Sequence, residues 1–278
     1  MNRKVGFIGI GNVGYMLLNK FLEHKLLEEK NIYTSNRAKA NIDKLLEKYP
    51  DINVCEDNME VAASCKTIFL CVEPLNLPNV LKEIKPFLQE DTYLMVSTTM
   101  VLNEDLCKIH NGRITVFMPT LISMVNMGVT LAYHNDHVID ENKFLFELLL
   151  GKISEVNILH EEDIRVAQNM TASFPGFFAA IMQEFVTSAI QHSKNVSSKD
   201  LEHMLLVSLE GAARLLLEKN LSFEDTINRV STKGGITHAG VQVYKEKLPE
   251  VFDAGLDATI SRYDVIGELA KKQIEELI

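Results

Sequence analysis

The first dozen or so residues constrain the fold more than any other segment. Val5-Gly-Phe-Ile-Gly9 is a short β run ending in glycine, and Gly9-Ile-Gly-Asn-Val-Gly14 grows out of it. Met16 to Leu27 then sets Leu17, Leu18, Phe21 and Leu22 on one helical face. Strand, glycine turn and helix in that order begin a βαβ unit. Gly9 permits the tight turn, Gly11 lets the backbone approach a pyrophosphate, and Gly14 allows the helix to pack closely on the strand. The helix N-terminus adds amide donors and the positive end of its dipole. Dinucleotide binding is the expected use of this segment, and a tight turn without a ligand is the plain alternative.

The alternation continues. Asn31-Ile-Tyr-Thr-Ser35, Thr67-Ile-Phe-Leu-Cys-Val72, Tyr93-Leu-Met-Val-Ser97 and Arg113-Ile-Thr-Val-Phe-Met118 read as strands, and Ala38 to Tyr49 reads as a helix. The run from Thr67 is nearly all apolar, as a strand covered on both sheet faces must be. Such alternation implies right-handed crossovers and a doubly wound parallel sheet. After about Glu155 the strand signals fade. Asp163 to Asn195 and Lys199 to Leu217 are helical in pattern, with Ser197-Ser-Lys-Asp200 as a helix start between them. Pro249 to Ile278 is amphipathic, with Val251, Leu256, Ile260, Leu269 and Leu277 as inward positions. The expectation is an α/β dinucleotide-binding domain over residues 1–155 and an all-helical domain over 156–278. Phe174, Phe177, Phe178, Ile181, Met182 and Phe185 are too apolar for an exposed helix. They form ordinary core, or the shared core of an intertwined dimer.

Composition narrows the function. With 278 residues, 46% of them hydrophobic and 24% charged, the chain is neither disordered nor a disulfide scaffold. Its net charge of -10 argues against nucleic acid and for a small ligand. No segment approaches the roughly eighteen apolar residues of a membrane span, and the apolar stretch at the start is too short for a signal peptide. Cys55, Cys65, Cys71 and Cys107 form no CxxC pair, so reduced thiols in the cytoplasm are expected. His134-Asn-Asp-His137 reads as a polar loop without a third convergent ligand, so no metal site is expected. His160-Glu-Glu-Asp163 reads as a capped, solvated helix start.

An NAD site usually carries Asp or Glu at the end of its second strand, to hold the ribose 2′-hydroxyl. Here Ser35-Asn36-Arg37 stands there, two small polar side chains and a guanidinium that suit a 2′-phosphate. NADP (as NADPH) is therefore favoured, with NAD left open. Far along the chain, Ser231-Thr-Lys-Gly-Gly-Ile-Thr-His-Ala-Gly240 sets Gly234-Gly235 ahead of an apparent helix. Paired glycines there form a nest for a carboxylate, with Thr237 in the first helical turn, or simply end one helix and begin the next. His238 beside Thr237 is a candidate proton shuttle or a helix-surface histidine.

These motifs resemble the pyrroline-5-carboxylate reductase family, over nearly the whole chain. Gly6 to Gly14 matches that family's first turn, with Val13 where methionine is usual. Ser35-Asn36-Arg37 looks like its NADP-phosphate loop, Asp57-Asn58 like its adenosine-side contact, and Cys71-Val72-Glu73-Pro74 stands at its Val-Lys-Pro. Met118-Pro119-Thr120 with Asn126-x-Gly128 resembles its Met-Pro-Asn segment. Ala172-Ser-Phe-Pro175 resembles a helix start of the family, and Lys233-Gly-Gly-Ile-Thr237 its Ser-Pro-Gly-Gly-Thr-Thr loop. The resemblance implies a Rossmann-type domain, then a helical dimerisation domain shared with a second subunit in a homodimer or higher homo-oligomer. It also implies NAD(P)H-dependent reduction of 1-pyrroline-5-carboxylate to L-proline, a step of proline biosynthesis. By position, Gly9, Gly11, Asn12, Val13, Ser35, Asn36, Arg37, Asn58, Cys71, Val72 and Pro74 would hold the cofactor. Gly234, Gly235 and Ile236 would hold the substrate carboxylate, and Thr237 the ring nitrogen.

Four departures stand out: Glu73 for lysine, Thr120 for asparagine, Lys233 for proline and Ile236 for threonine. Arg229 and Lys233 add cations beside the expected carboxylate site, as substrate ligands or as solvated charges. The loop looks like that of a divergent subgroup encoded with late-competence genes. A reductase of another small anionic imine or hydroxy acid, and a catalytically lapsed NADP-binding regulatory paralogue, remain as rivals.

Overall fold

The computed structural model describes residues 3–277; Met1, Asn2 and Ile278, at the outer ends of the two expected domains, lie outside the described residues. Strands β1 (Val5–Ile8), β2 (Ile32–Ser35), β3 (Asn53–Val54), β4 (Thr67–Leu70), β5 (Tyr93–Val96), β6 (Arg113–Met118), β7 (Gly128–His134) and β8 (Ser154–Ile158) form one sheet. Their order is β3-β2-β1-β4-β5-β6-β7-β8. Helices α1 (Asn12–Glu23), α2 (Lys39–Lys48), α3 (Asn58–Ser64), α4 (Leu77–Ile84), α5 (Asn103–Ile109) and α6 (Asp140–Leu150) link them. Period-2 alternation fills both faces. Phe7, Phe69, Met95 and Phe117 join α1 and α6 side chains on one face, where Phe7 and Phe69 stack at 4.7 Å. Ile8, Ile68, Leu70, Leu94 and Val116 pack on the other against Leu81 and Leu106. The register Ile8↔Ser35 and Ile8↔Leu70 brings the C-terminal ends of β1, β2 and β4 level. The strand order reverses between β1 and β4, which is where an open α/β sheet leaves its ligand crevice.

The structure corrects several expectations. Every strand pairing is parallel except β6–β7, where Thr115 pairs with His134, so β7 and β8 run opposite to the other six strands. His134 is therefore the last residue of a strand and not part of a loop. Strands β3, β7 and β8 escape the sequence pattern because β3 has only two residues and β7 and β8 mix polar residues with apolar ones. Helix α7 (Glu161–Met170) begins where expected but has no side-chain cap. Glu161 is half-buried, accepts from the Asn103 N–H at 2.6 Å, and burial pushes its carboxyl above the usual range. The helical run from Asp163 to Asn195 is two helices, α7 and α8 (Phe174–Ile190). Pro175 in the first turn of α8 has no N–H to give a preceding turn, so it starts a helix and cannot continue one.

Helix α9 (Ser198–Lys219) starts as expected, with the Ser197 side chain accepting from the Asp200 N–H. Helices α10 (Phe223–Val230) and α11 (Ile236–Leu277) follow, and α11 passes through Pro249. The buried positions of α11 are Tyr263, Ala270 and Ile274, whereas the expected Val251 and Leu269 are exposed. Amphipathic spacing named the apolar residues, but contact with the Leu94–Leu106 core chose the stripe. Two compact units result: Met1–Pro175 with Thr259–Ile278, and Gly176–Ala258. No helix among the described residues is long and apolar enough to cross a membrane.

Candidate functional site

A cleft of about 380 Å³ opens at the level ends of β1, β2 and β4. Gly9 and Gly11 line it from the first turn, Ser35, Asn36 and Arg37 from β2, Asn58 from the start of α3, and Cys71 and Val72 from the end of β4. Gly9 has φ +93°, and a Cβ there would stand 2.5 Å from the Cys71 carbonyl oxygen. A Cβ on Gly14 would collide with the Gly9 carbonyl, so the helix can begin this close to the strand only with glycine at that position. A Cβ on Gly11 would meet nothing within 4 Å. Its backbone faces open space at the mouth of α1, which fits the pyrophosphate of a dinucleotide.

Several predicted side chains are already engaged. The Ile10 N–H donates to Asn36 Oδ1 at 2.8 Å, and Asn36 Nδ2 donates to the Ala38 carbonyl at 2.9 Å. Asn41 Nδ2 donates to the Ile10 carbonyl at 2.7 Å. Asn36 thus clamps the glycine turn to the end of β2. The Ser35 hydroxyl donates to Asn58 Oδ1 at 2.7 Å. Arg37 is exposed and is the cation of the cleft, free of ion pairs among the described residues. The Cys71 thiol is pushed up to about 12 by burial, so it stays protonated and acts as lining rather than nucleophile.

Three predicted cofactor residues lie off this cleft. Asn12 lines a neighbouring hollow with Gly11, Tyr15 and Lys20, the Val13 side chain packs on the core, and Pro74 opens a 3-10 turn over Pro74–Asn76. Four further lining residues had no motif: Asn76, Asn79, Val80 and Glu83, contributed by that turn and α4. The crossover after β4, which should flank the same crevice, was the available signal.

The second predicted cluster sits in the unit Gly176–Ala258. After α10 ends at Val230, Thr232 and Gly235 close a turn with the Gly235 N–H donating to the Thr232 carbonyl at 2.9 Å. Gly234 has φ +78°, a conformation that favours glycine. Helix α11 then begins at Ile236, so the amides of Ile236, Thr237 and His238 open a helix and lack intrahelical acceptors. Arg229, Lys233 and Thr237 are exposed, and Ile236 is 94% exposed. His238 Nδ1 lies 3.4 Å from Ser231 Oγ, which makes it a loop contact. The two glycines separate α10 from α11 and leave the first amides of α11 open.

Thr120 is buried and accepts from the Val129 N–H at 3.3 Å, holding the loop after β6. His134 Nδ1 bonds Thr115 Oγ1 at 2.7 Å, and Thr115 bonds the Tyr93 hydroxyl at 2.6 Å, a polar chain across three strands. Burial holds that imidazole down at about 4, so it is neutral. Among the described residues no group of three or more His, Cys, Asp or Glu could hold a metal.

Residues 4–100 match the family model described as NADP oxidoreductase coenzyme F420-dependent, and residues 161–266 match pyrroline-5-carboxylate reductase dimerisation. Pyrroline-5-carboxylate reductase 3 of Bacillus subtilis is 32% identical over 272 residues, covering 97% of this chain and 99% of that protein. ComE operon protein 4 of the same organism is 26% identical, over 97% and 98%. The crystal structure of Plasmodium falciparum pyrroline carboxylate reductase with NADP bound superposes with a TM-score of 0.85 at 18% identity, over 96% and 98%, and shares the fold. With a glycine-lined cleft at the sheet's switch point and a relative this similar along the full chain, the protein belongs to the pyrroline-5-carboxylate reductase family of NAD(P)-dependent oxidoreductases.

Proposed function

We propose that this protein reduces 1-pyrroline-5-carboxylate to L-proline, with NADPH preferred and NADH accepted, as a cytoplasmic homodimer or higher homo-oligomer. The observation that carries the reading is the full-length 32% identity to a reductase of that name, joined to a cleft in which Gly11 leaves room for a pyrophosphate. Residues 1–155 serve the cofactor, and 156–278 serve the substrate and the subunit contact. The bound nicotinamide supplies a hydride to the imine carbon. Gly9, Gly11, Asn12 and the Val13 backbone hold the pyrophosphate. Arg37 holds the 2′-phosphate with help from Ser35 and Asn36, Asn58, Cys71 and Val72 shape the rest of the cofactor site, and Pro74 acts beside it by opening the turn that carries Asn76 into the cleft. The amides around Gly234, Gly235 and Ile236 orient the substrate carboxylate, while Arg229 and Lys233 add positive potential. The Thr237 hydroxyl hydrogen-bonds the ring nitrogen, where one proton must arrive as the hydride reaches carbon.

The subunit contact has its own support. In residues 176–258 only Val186 is buried, while Leu217, Phe223 and Val251 stand 60–80% exposed in the single chain. Helices with that much open apolar surface call for a partner, and a second copy of the same chain supplies one.

Steady-state oxidation of NADPH, and separately of NADH, with pyrroline-5-carboxylate in excess tests the reading. Turnover with both and a higher kcat/KM for NADPH is expected. Tight NADPH binding without turnover would select the lapsed regulatory paralogue, or a reductase of another small anionic imine or hydroxy acid. Ile236, standing out from the cradle where the family has threonine, favours that second reading.

A further inference from the structure

Where a dinucleotide site prefers NAD, the end of the second strand carries an acidic residue that accepts from the ribose 2′-hydroxyl. In this chain that place holds Ser35-Asn36-Arg37, yet a carboxylate reaches the same cleft from α4. Asn58 accepts from the Ser35 hydroxyl at 2.7 Å and donates through Nδ2 to Glu83 Oε2 at 2.9 Å. Ser35 is buried, Asn58 half-buried and Glu83 exposed, so the hydrogen-bond chain runs from the sheet out to the rim. All three line the cleft with Arg37, the one cation among the described residues that do so.

We propose that Glu83 is a specificity-determining residue that opposes the 2′-phosphate of NADPH and favours the free 2′-hydroxyl of NADH. This rests on the dinucleotide reading of the cleft. Two effects act together. A carboxylate repels a phosphate dianion and accepts from a hydroxyl, so Glu83 offsets the attraction of Arg37 for one cofactor and not for the other. It also directs Asn58, which in turn accepts a hydrogen bond from the Ser35 hydroxyl, so two donors that a phosphate would collect are already committed. The sequence motif at the end of β2 alone would make this an NADPH enzyme, and Glu83 moves it toward using both.

Two substitutions separate charge from bonding. Glu83→Gln keeps an acceptor for Asn58 and removes the charge, and Glu83→Lys reverses it; Glu83 is exposed, so the fold has little to lose. Calorimetric titration of the full-length protein with NADPH, NADH, 2′,5′-ADP and 5′-ADP reads binding without turnover. Glu83→Gln is expected to tighten NADPH and 2′,5′-ADP roughly three- to tenfold at low salt and leave NADH and 5′-ADP within about twofold, with a larger shift in the same direction for Glu83→Lys. The gain should shrink as salt is added. Equal changes in all four ligands, or no change in NADPH, would overturn the proposal alone. A wild-type protein that binds none of the four would overturn the cofactor reading and this proposal together.

Discussion

The unit Met1–Pro175 with Thr259–Ile278 and the unit Gly176–Ala258 are built from similar proportions of apolar residues but use them differently. In the first, whole strands vanish from solvent: every residue of β1, β4 and β5 is buried. In the second, among residues of α8, α9 and α10 only Val186 is buried, while Met204, Leu206, Val207, Leu217 and Phe223 stand in the open. A sheet covered by helices closes its own core, because each strand is flanked by neighbours and roofed on both faces. The helices of the second unit do not do so in the single chain, since their apolar residues stay exposed. The first unit therefore encloses its candidate cleft within one chain, and the second is expected to complete itself on another copy.

The largest test strikes the open apolar surface. Val207→Glu changes a residue that is 56% exposed in the single chain and should cost little there. If a second copy covers it, the variant loses the dimer and at least a hundredfold in activity, read by sedimentation and steady-state rates. An active variant of unchanged mass would break the comparison.

The next test uses two glycines of one turn. Gly9→Ala forces a Cβ against the Cys71 carbonyl at φ +93° and should cost about 2 kcal/mol or more in unfolding free energy. Gly11→Ala meets no atom, so its melting temperature should stay put while NADPH affinity falls about tenfold or more. Unchanged affinity would move the pyrophosphate elsewhere.

Thr237→Ala should lower kcat by about tenfold or more, as expected on losing one oriented donor, and leave the NADPH Kd unchanged. Wild-type kinetics would remove Thr237 from the mechanism.

The smallest effect is a pH slope belonging to the first unit. An unfolded His134 takes its proton near 6.5 and the folded one only near about 4, so stability present above pH 6.5 drains away as pH falls toward 4. Burial lowers His110 in the same direction. His134→Asn should flatten the fall of melting temperature across that window. An unaltered slope would assign it to other groups.

Much of the candidate cleft was legible because its parts are contiguous: a glycine string after a strand, a polar triplet ending the next, and the end of an apolar run at Cys71 and Val72. Glu83, Asn76, Asn79 and Val80 were not, since their place depends on how the crossover after β4 returns over the sheet. The clamp by Asn36 was equally hidden, because Asn36 and Ile10 are distant in sequence and meet only when β1 and β2 pair. β7 escaped for another reason. Its direction is set by pairing with β6 on one side and β8 on the other, which no local periodicity encodes.

Local chemistry by itself determined the strand-turn-helix opening, the alternation that demands a layered sheet, the helix starts at Ser197 and the family. Those features depend on residues a few positions apart, where φ/ψ freedom, capping and periodicity act directly. Tertiary structure alone decided which stripe of α11 is buried, that His134 is a neutral strand residue, and that a carboxylate from α4 faces the end of β2. Burial and hydrogen-bond partnership are properties of neighbours in space, and here those neighbours come from other segments of the chain.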